Sequence, residues 1–120
     1  MKLNIDCIRD ILITVEENTD LDTIFVYKKG DLYPLLSKYD HKEITYHMRQ
    51  CELSGLLIGV QFLDDGDLIY ISDLSPAGHE FLANSRTKNV WKKIKAAGAT
   101  SLPIVINLAK DFALAYFQSL

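Results

Sequence analysis

Apolar side chains recur at helical spacing between Asp40 and Leu57, and polar side chains occupy the opposite face. Asp40 is a good N-cap residue, and Glu43 follows three residues later, a spacing typical of a capping box. Gly55 suits the position just after a helix, where a left-handed backbone is common. The stripe predicted to be buried consists of Ile44, His47, Met48 and Cys51. The polar face carries His41, Lys42, Thr45, Tyr46, Arg49 and Gln50.

Helical patterns also occur on both sides of this segment. They predict a first helix at about residues 4–17, a helix opened by Ser75-Pro76, a helix at residues 86–95 and a last helix capped by Ser101. In the 86–95 helix, Val90, Trp91 and Ile94 share one side and the lysines share the other. We therefore predict that Trp91 is a buried anchor that holds this helix on the rest of the chain.

β-Branched and aromatic residues predict three short strands, Ile24–Tyr27, Leu57–Leu63 and Leu68–Asp73. The last two flank residues 64–67, which contain the Asp-Gly pair typical of a hairpin turn. The pattern thus predicts a β-hairpin directly after the Asp40–Leu57 helix.

The order of these elements predicts an α+β fold, a winged helix-turn-helix with a two-strand wing and a C-terminal helical extension. Residues 1–85 form the winged-helix domain in this interpretation, and residues 86–120 form the extension of the same compact unit. The fold needs a short second helix near Leu32–Lys38, and a loop or an edge strand is the alternative there. The buried side of that helix would consist of Leu32, Leu35 and Leu36.

Length and composition indicate one domain, since 120 residues with 48% hydrophobic side chains can bury a core. The two cysteines lie at apolar helical positions, whereas small secreted proteins are more often rich in disulfides. The first residues reach acidic side chains at once, unlike a signal peptide. A cytoplasmic location is the expectation.

Charge is unevenly distributed along the chain. Residues 1–85 hold seven Lys and Arg against fifteen Asp and Glu, a balance of −8. Residues 86–120 hold six basic residues against one acidic residue, a balance of +5. A basic cluster at residues 86–95 could contact phosphates, pair with the acidic surface of a second subunit, or be an ordinary solvated face.

The last helix carries two neighbouring apolar stripes. The first consists of Val105, Leu108, Ala109, Phe112 and Tyr116, and can pack on its own subunit. The second consists of Leu102, Ile106, Ala113 and Phe117. Burial of this second stripe predicts a homodimer, and the rival is a helix wholly absorbed into the monomer. Lys110 and Asp111 interrupt the run, so no membrane span is expected.

The polar face of the central helix is the main candidate site. Arg and Gln can pair with guanine and adenine edges, so Lys42, Thr45, Tyr46, Arg49 and Gln50 are candidates for contacts in the major groove of DNA. The alternative is an ordinary solvated helix face, because two glutamates offset the charges of Lys42 and Arg49. The acidic turn at residues 64–67 counts against DNA, since phosphates would repel it.

Catalytic and metal chemistry find little support in the sequence. His47 and Cys51 are spaced for one helix face, but no second ligand pair is visible, so a packed core histidine is the better interpretation. His79-Glu80 has no nucleophile or oxyanion donors around it, and a role in hydrogen bonding at a helix start is favoured. We expect no enzyme, no cofactor and no metal.

Three runs follow one another in a familiar order: ITYHMRQCELSGLLIG, LSPAGHEFL and NVWKKIK. From about residue 3 to residue 95 the chain resembles an uncharacterised phage- and prophage-associated bacterial family, a domain of unknown function with a winged-helix-like pattern. Tyr46-His47 and residues 78–82 are the most specific matches. Cys51 stands where that family usually has Leu, and Ser54 where Ala is usual. The resemblance implies a phage or prophage origin and no established activity.

Two functions remain open on the sequence. The first is a DNA-binding or regulatory winged-helix protein of phage origin. The second is a non-enzymatic module that binds a host or phage protein and no DNA, which the acidic segment 1–85 favours.

Overall fold

The computed structural model describes all 120 residues, and five helices form most of it. The helices are α1 (Ile5–Glu17), α2 (His41–Leu53), α3 (Pro76–Asn84), α4 (Lys88–Ala97) and α5 (Leu102–Gln118). The predicted caps are confirmed at Asp40 and Ser75, whose side chains accept backbone N–H bonds from the first turns of α2 and α3. Asn4 caps α1 in the same way. Ser101 precedes α5 but makes no capping bond with its side chain.

Five short strands form two antiparallel sheets. The strands are β1 (Phe25–Lys28), β2 (Leu57–Ile58), β3 (Gln61–Leu63), β4 (Leu68–Ile71) and β5 (Asp73–Leu74). The first sheet has the order β1-β4-β3, and Ile69 of the middle strand lies opposite both Tyr27 and Phe62. The second sheet pairs β2 with β5. The fold is therefore α+β, as predicted.

Each long strand predicted for the hairpin is broken into two. The break on one side lies at Gly59, whose φ of 64° is left-handed. Ser72 forms the break on the other side, and its N–H donates to the Ile58 carbonyl at 3.1 Å. A hairpin with such a break bends, so its two ends belong to separate sheets. The turn at its tip, Asp64–Gly66, has a left-handed backbone, with φ of 52°, 55° and 90°, and the Asp67 N–H donates to the Asp64 carbonyl at 3.0 Å.

The short helix that the winged-helix interpretation placed at Leu32–Lys38 is absent. Consecutive turns occupy the segment, and the N–H groups of Leu36 and Ser37 both donate to the Tyr33 carbonyl. Leu36 is buried as expected, but Leu32 is 83% exposed. The Tyr33 ring packs on Phe25 of β1 with centroids 5.0 Å apart. Tyr33 thereby ties the start of the segment to β1, and the turns that follow it do not continue into a helix before Asp40.

The same segment covers the outer edge of β1. The Tyr33 hydroxyl donates to the Val26 carbonyl at 2.6 Å. Asp31 accepts from the Lys28 N–H at 2.9 Å through its carboxylate, and its own N–H donates to the Lys28 carbonyl at 2.8 Å. Three of the main-chain groups that face away from β4 therefore have partners within the chain.

One continuous core joins the two predicted halves of the chain. α1 contributes a fully buried face that contacts α2, α3 and β5. α4 contributes Val90, Trp91 and Ile94, of which Trp91 is 9% exposed, so the predicted burial of this indole is confirmed. Its Nε1 donates to Asp6 at 3.0 Å, and the Arg9 guanidinium lies 5.2 Å from the ring centroid. Trp91 thus joins α4 to α1 by packing, a hydrogen bond and a cation–π contact.

The stripe of α5 that was predicted to face a partner subunit packs largely within its own subunit. α5 packs against both α3 and α4, which together cover a wide arc of its surface. Leu102 and Ala113 are consequently buried at 3% and 2% exposure, and Ile106 is half-buried. Only Phe117 of the four remains exposed. The prediction of a partner face made of these four residues is therefore wrong for Leu102 and Ala113, and the homodimer itself stays a prediction.

Apart from Phe117, the large apolar side chains that α5 exposes lie outside this stripe. They are Ile104 and Leu114, with Leu120 just beyond the helix. No helix of the chain has both the length and the apolar character needed to cross a membrane.

Candidate nucleic-acid interface

The exposed face of α2 lines a surface groove of about 640 Å³. Its other wall is the β3–β4 hairpin. We call this the α2 groove, and its lining residues are Met1, Lys42, Thr45, Tyr46, Arg49, Phe62, Asp65 and Gly66. Four of the five predicted contact residues lie in it. The fifth, Gln50, lines an adjoining cleft of about 460 Å³, which it shares with Tyr46. The structure thus brings all five onto one continuous surface.

A buried histidine fixes the inner side of α2. His47 has 0% exposure, and its Nε2 accepts the backbone N–H of Asn4 at 2.8 Å. A backbone N–H can only donate, so the ring proton of His47 must lie on Nδ1, which donates to the Glu43 carbonyl at 2.7 Å. His47 is therefore a neutral structural side chain that joins the start of α1 to α2. No group of three or more His, Cys, Asp or Glu side chains is arranged to hold a metal ion.

A second histidine holds the groove's two walls together. His41, the first residue of α2, contacts the Tyr27 hydroxyl of β1 through Nδ1 at 2.9 Å. Its Nε2 lies 3.0 Å from the Asp67 carboxylate in the hairpin turn. Burial, aided by the charges of Asp31, Asp40 and Asp67, raises the pKa of Tyr27, so the phenol stays protonated and can donate. This chain of contacts sets the distance between α2 and the hairpin.

Arg49 is held over the groove before any ligand arrives. Its guanidinium carbon lies 3.8 Å from the centroid of the Phe62 ring, a cation–π arrangement across the groove. One nitrogen also lies 3.1 Å from Glu52 on the same helix. The ring orders the side chain, and the carboxylate offsets part of its charge.

The other candidate side chains differ in what they can still donate. The Thr45 hydroxyl already bonds the carbonyls of His41 and Lys42 at 3.0 and 3.1 Å. Lys42 is exposed and forms no ion pair, and the Gln50 amide makes no hydrogen bond within the chain. The groups with free donors for an external ligand are therefore Lys42, Tyr46, Arg49 and Gln50.

The contribution of the hairpin to the α2 groove was not predicted from the sequence. Phe62, Asp65 and Gly66 complete the groove, and Asp67 is engaged by His41. The available signal was the short link of about three residues between α2 and β2, which forces the hairpin back beside α2. The acidic turn also has basic neighbours, because Lys28 and Lys29 line the same cleft as Asp64 and Asp67.

His79 and Glu80 do not form a pair in the structure. His79 lies 3.8 Å from Asp73, both side chains are about half exposed, and Glu80 is exposed. This arrangement supplies neither a nucleophile nor an enclosed pocket.

Both thiols are buried in the core, Cys7 on the inner face of α1 and Cys51 on the inner face of α2. Burial, with smaller contributions from the charges of Glu43 and Asp10, raises the pKa of Cys7 to about 12. Burial also raises the pKa of Cys51, which has 0% exposure. At pH 8 such thiols carry far less thiolate than exposed ones, and the thiolate is the reactive species.

We accordingly expect both cysteines of the folded protein to resist an aromatic disulfide reagent at pH 8. Two equivalents should react within minutes once denaturant unfolds the chain. The absorbance of the released thiolate measures both rates. Fast reaction of either cysteine in the native protein would contradict the burial described here.

Comparison with known proteins identifies a family for this chain. Neither the curated proteins nor the solved structures contain a significant match to this chain. A family model described as hypothetical protein (DUF2513) matches residues 2–101, which span α1 to α4 and end at the residue before α5. The match covers most of the chain and supports the expected uncharacterised domain, so the chain belongs to the DUF2513 family of hypothetical proteins.

Proposed function

We propose that this protein is a winged-helix protein that binds duplex DNA through the α2 groove. The order α1, β1, α2 and hairpin, with a sheet ordered β1-β4-β3, supports this interpretation. Turns at residues 34–38 stand in place of the second helix of that fold. α2 then corresponds to the helix that enters the major groove, and the β3–β4 hairpin corresponds to the wing.

The observation that carries the proposal is the set of donors on the outer face of α2. Arg49 and Gln50 can each form paired hydrogen bonds with a base edge, and Lys42 can neutralise a phosphate. Phe62 holds Arg49 in place, which lowers the entropy lost on binding. The inner face of the same helix is fixed by His47. A rigid helix with donors on one side is suited to base recognition.

The side-chain charges around the groove are balanced, so base recognition there would rest on hydrogen bonds and not on net charge. Lys42 and Arg49 lie among the lining residues, against Asp65 in the lining and Glu52 beside Arg49. Asp67 faces His41, so this carboxylate is already engaged within the chain. A regulatory role in a phage or prophage is the context that the sequence resemblance supports.

A second candidate is a module that binds a host or phage protein without binding DNA. The exposed apolar side chains Ile104, Leu114 and Phe117 on α5 favour this alternative. The acidic balance of residues 1–85 favours it as well.

The test is a low-salt mobility-shift assay with random duplex DNA. We expect Arg49→Ala to weaken binding by about 1–3 kcal/mol if it pairs with a guanine, and Lys42→Ala combined with it to weaken binding further. Lys110→Ala, an exposed lysine on α5, is the matched control and should bind as the parent does.

Equal DNA affinity of the double variant and the parent would show that α2 is not part of the binding surface. If the parent protein shows no salt-dependent shift, the result favours the second candidate, a module that binds a protein and no DNA. Lys42→Ala and Lys110→Ala should keep the parent's thermal midpoint, since both altered side chains are exposed and form no ion pair. Arg49→Ala loses its contacts with Phe62 and Glu52, so its binding is compared with the parent's at a temperature well below both midpoints.

A further inference from the structure

The basic residues of α4 and its preceding turn are not all neutralised within the chain. The segment from Arg86 to Lys95 holds five basic residues and no acidic residue. Arg86 pairs with Glu16 at 3.1 Å, and Lys95 pairs with Asp6 at 3.0 Å. The remaining lysines, Lys88, Lys92 and Lys93, are exposed and form no ion pair.

Two of these free lysines share a ridge of α4 with Lys95. Residues 88, 92 and 95 are separated by four and three positions, so their side chains lie in one row along the helix. Lys93 lies on the other side. Lys95 marks the direction of the row, because its ammonium contacts Asp6 in the first turn of α1. The Lys95 end of the row therefore lies beside the start of α1.

The end of the row at Lys95 lies close in sequence to a cleft on the surface of α2. The cleft that contains Gln50 and Tyr46 has its other wall at residues 99–103, directly after α4. Lys2 lines this cleft as well. The C-terminal end of the helix that carries the basic row thus borders the surface formed by Tyr46 and Gln50 of α2.

The opposite flank of the groove is less suited to phosphates. Asp64 and Asp65 of the hairpin turn are exposed and have no cationic partner. Phosphates of a duplex lying over this turn would be repelled, whereas phosphates over α4 would be attracted.

We propose that the duplex lies across the start of α1 onto α4, where Lys88 and Lys92 bind its phosphate backbone, and not beneath the hairpin. This inference rests on the proposed function of the α2 groove. It accounts for the separation of charge between residues 1–85 and 86–120, because the basic part supplies the affinity and α2 supplies the base contacts.

The experiment is the salt dependence of duplex binding between 50 and 200 mM, measured by fluorescence anisotropy. Each phosphate contact adds about 0.9 to the slope of log K against log salt. The double variant Lys88→Ala, Lys92→Ala should therefore lose about two from the parent's slope. The matched control is Lys28→Ala, Lys29→Ala, an exposed lysine pair beside the hairpin turn, which should keep the parent's slope.

An unchanged slope in the α4 variant would overturn the inference, as would a loss confined to the control variant. If the slope is unchanged while Arg49→Ala still weakens binding, the α2 groove stands and only the α4 contact fails. A parent that binds no duplex overturns both proposals. Equal thermal midpoints of all three proteins show that the altered slopes come from charge.

Discussion

Trp91→Ala is expected to lower the free energy of unfolding by about 3–5 kcal/mol, the range for large aromatic deletions from a core. The indole is 9% exposed and fills the space between α4 and α1. Its removal also leaves Asp6 with one donor fewer and Arg9 without the ring beneath it. Urea unfolding followed by far-ultraviolet circular dichroism gives the free energy of unfolding for the parent and the variant.

Trp91→Phe separates packing from the hydrogen bond. It keeps an aromatic ring in the site and loses the N–H that donates to Asp6, so a smaller loss of about 1–2 kcal/mol is expected. An alanine variant as stable as the parent would show that α4 is only loosely attached. So would a native fluorescence spectrum with the emission maximum of a tryptophan in water.

Gly78→Ala is expected to destabilise the protein by about 3 kcal/mol, although alanine is the better helix former by about 1 kcal/mol. Gly78 lies in the first turn of α3, and an added Cβ would overlap the Leu56 carbonyl oxygen and lie 3.3 Å from the Leu74 Cβ. That carbonyl cannot easily retreat, because it accepts the Ser75 N–H at 3.0 Å. The expected sign is thus opposite to the helix propensity.

Ala83→Gly in the same helix is the control for this prediction. Ala83 is exposed, so its replacement should cost only the propensity difference of roughly 1 kcal/mol. Both variants can be compared with the parent by thermal unfolding. A Gly78→Ala variant that melts above the parent would mean that α3 can move away from β2.

Local signals were sufficient to predict α2. Asp40 caps the helix through a bond to the Glu43 N–H at 2.8 Å, and Gly55 has a φ of 75°, as the sequence pattern indicates. Capping and left-handed glycine depend on neighbours within a few residues, so they can be inferred without knowing the fold. The shared face of the five candidate residues followed from the same helical period.

Features that depend on distant residues could not be inferred in this way. The Tyr33 contact with β1 replaces the helix expected at 32–38, and the Ser72 contact with Ile58 accompanies the break in the hairpin. Burial of Leu102 and Ala113 depends on the positions of α3 and α4. The apolar pattern of α5 carries no information about those positions. At the groove, the pairing of Arg49 with Phe62 and of His41 with Asp67 joins residues whose proximity appears only after folding.

The loop after β1 also bears on how the chain behaves at high concentration. A free strand edge is a template for pairing with a neighbouring molecule, and such pairing starts aggregates. Val26 and Lys28 would present that edge, and Tyr33 and Asp31 already occupy three of its main-chain groups. A neighbouring strand would first have to displace side chains tethered to the same loop. The Phe25–Lys28 edge is thereby protected from intermolecular β-pairing, although the exposed Ile24 and Val26 would otherwise favour it.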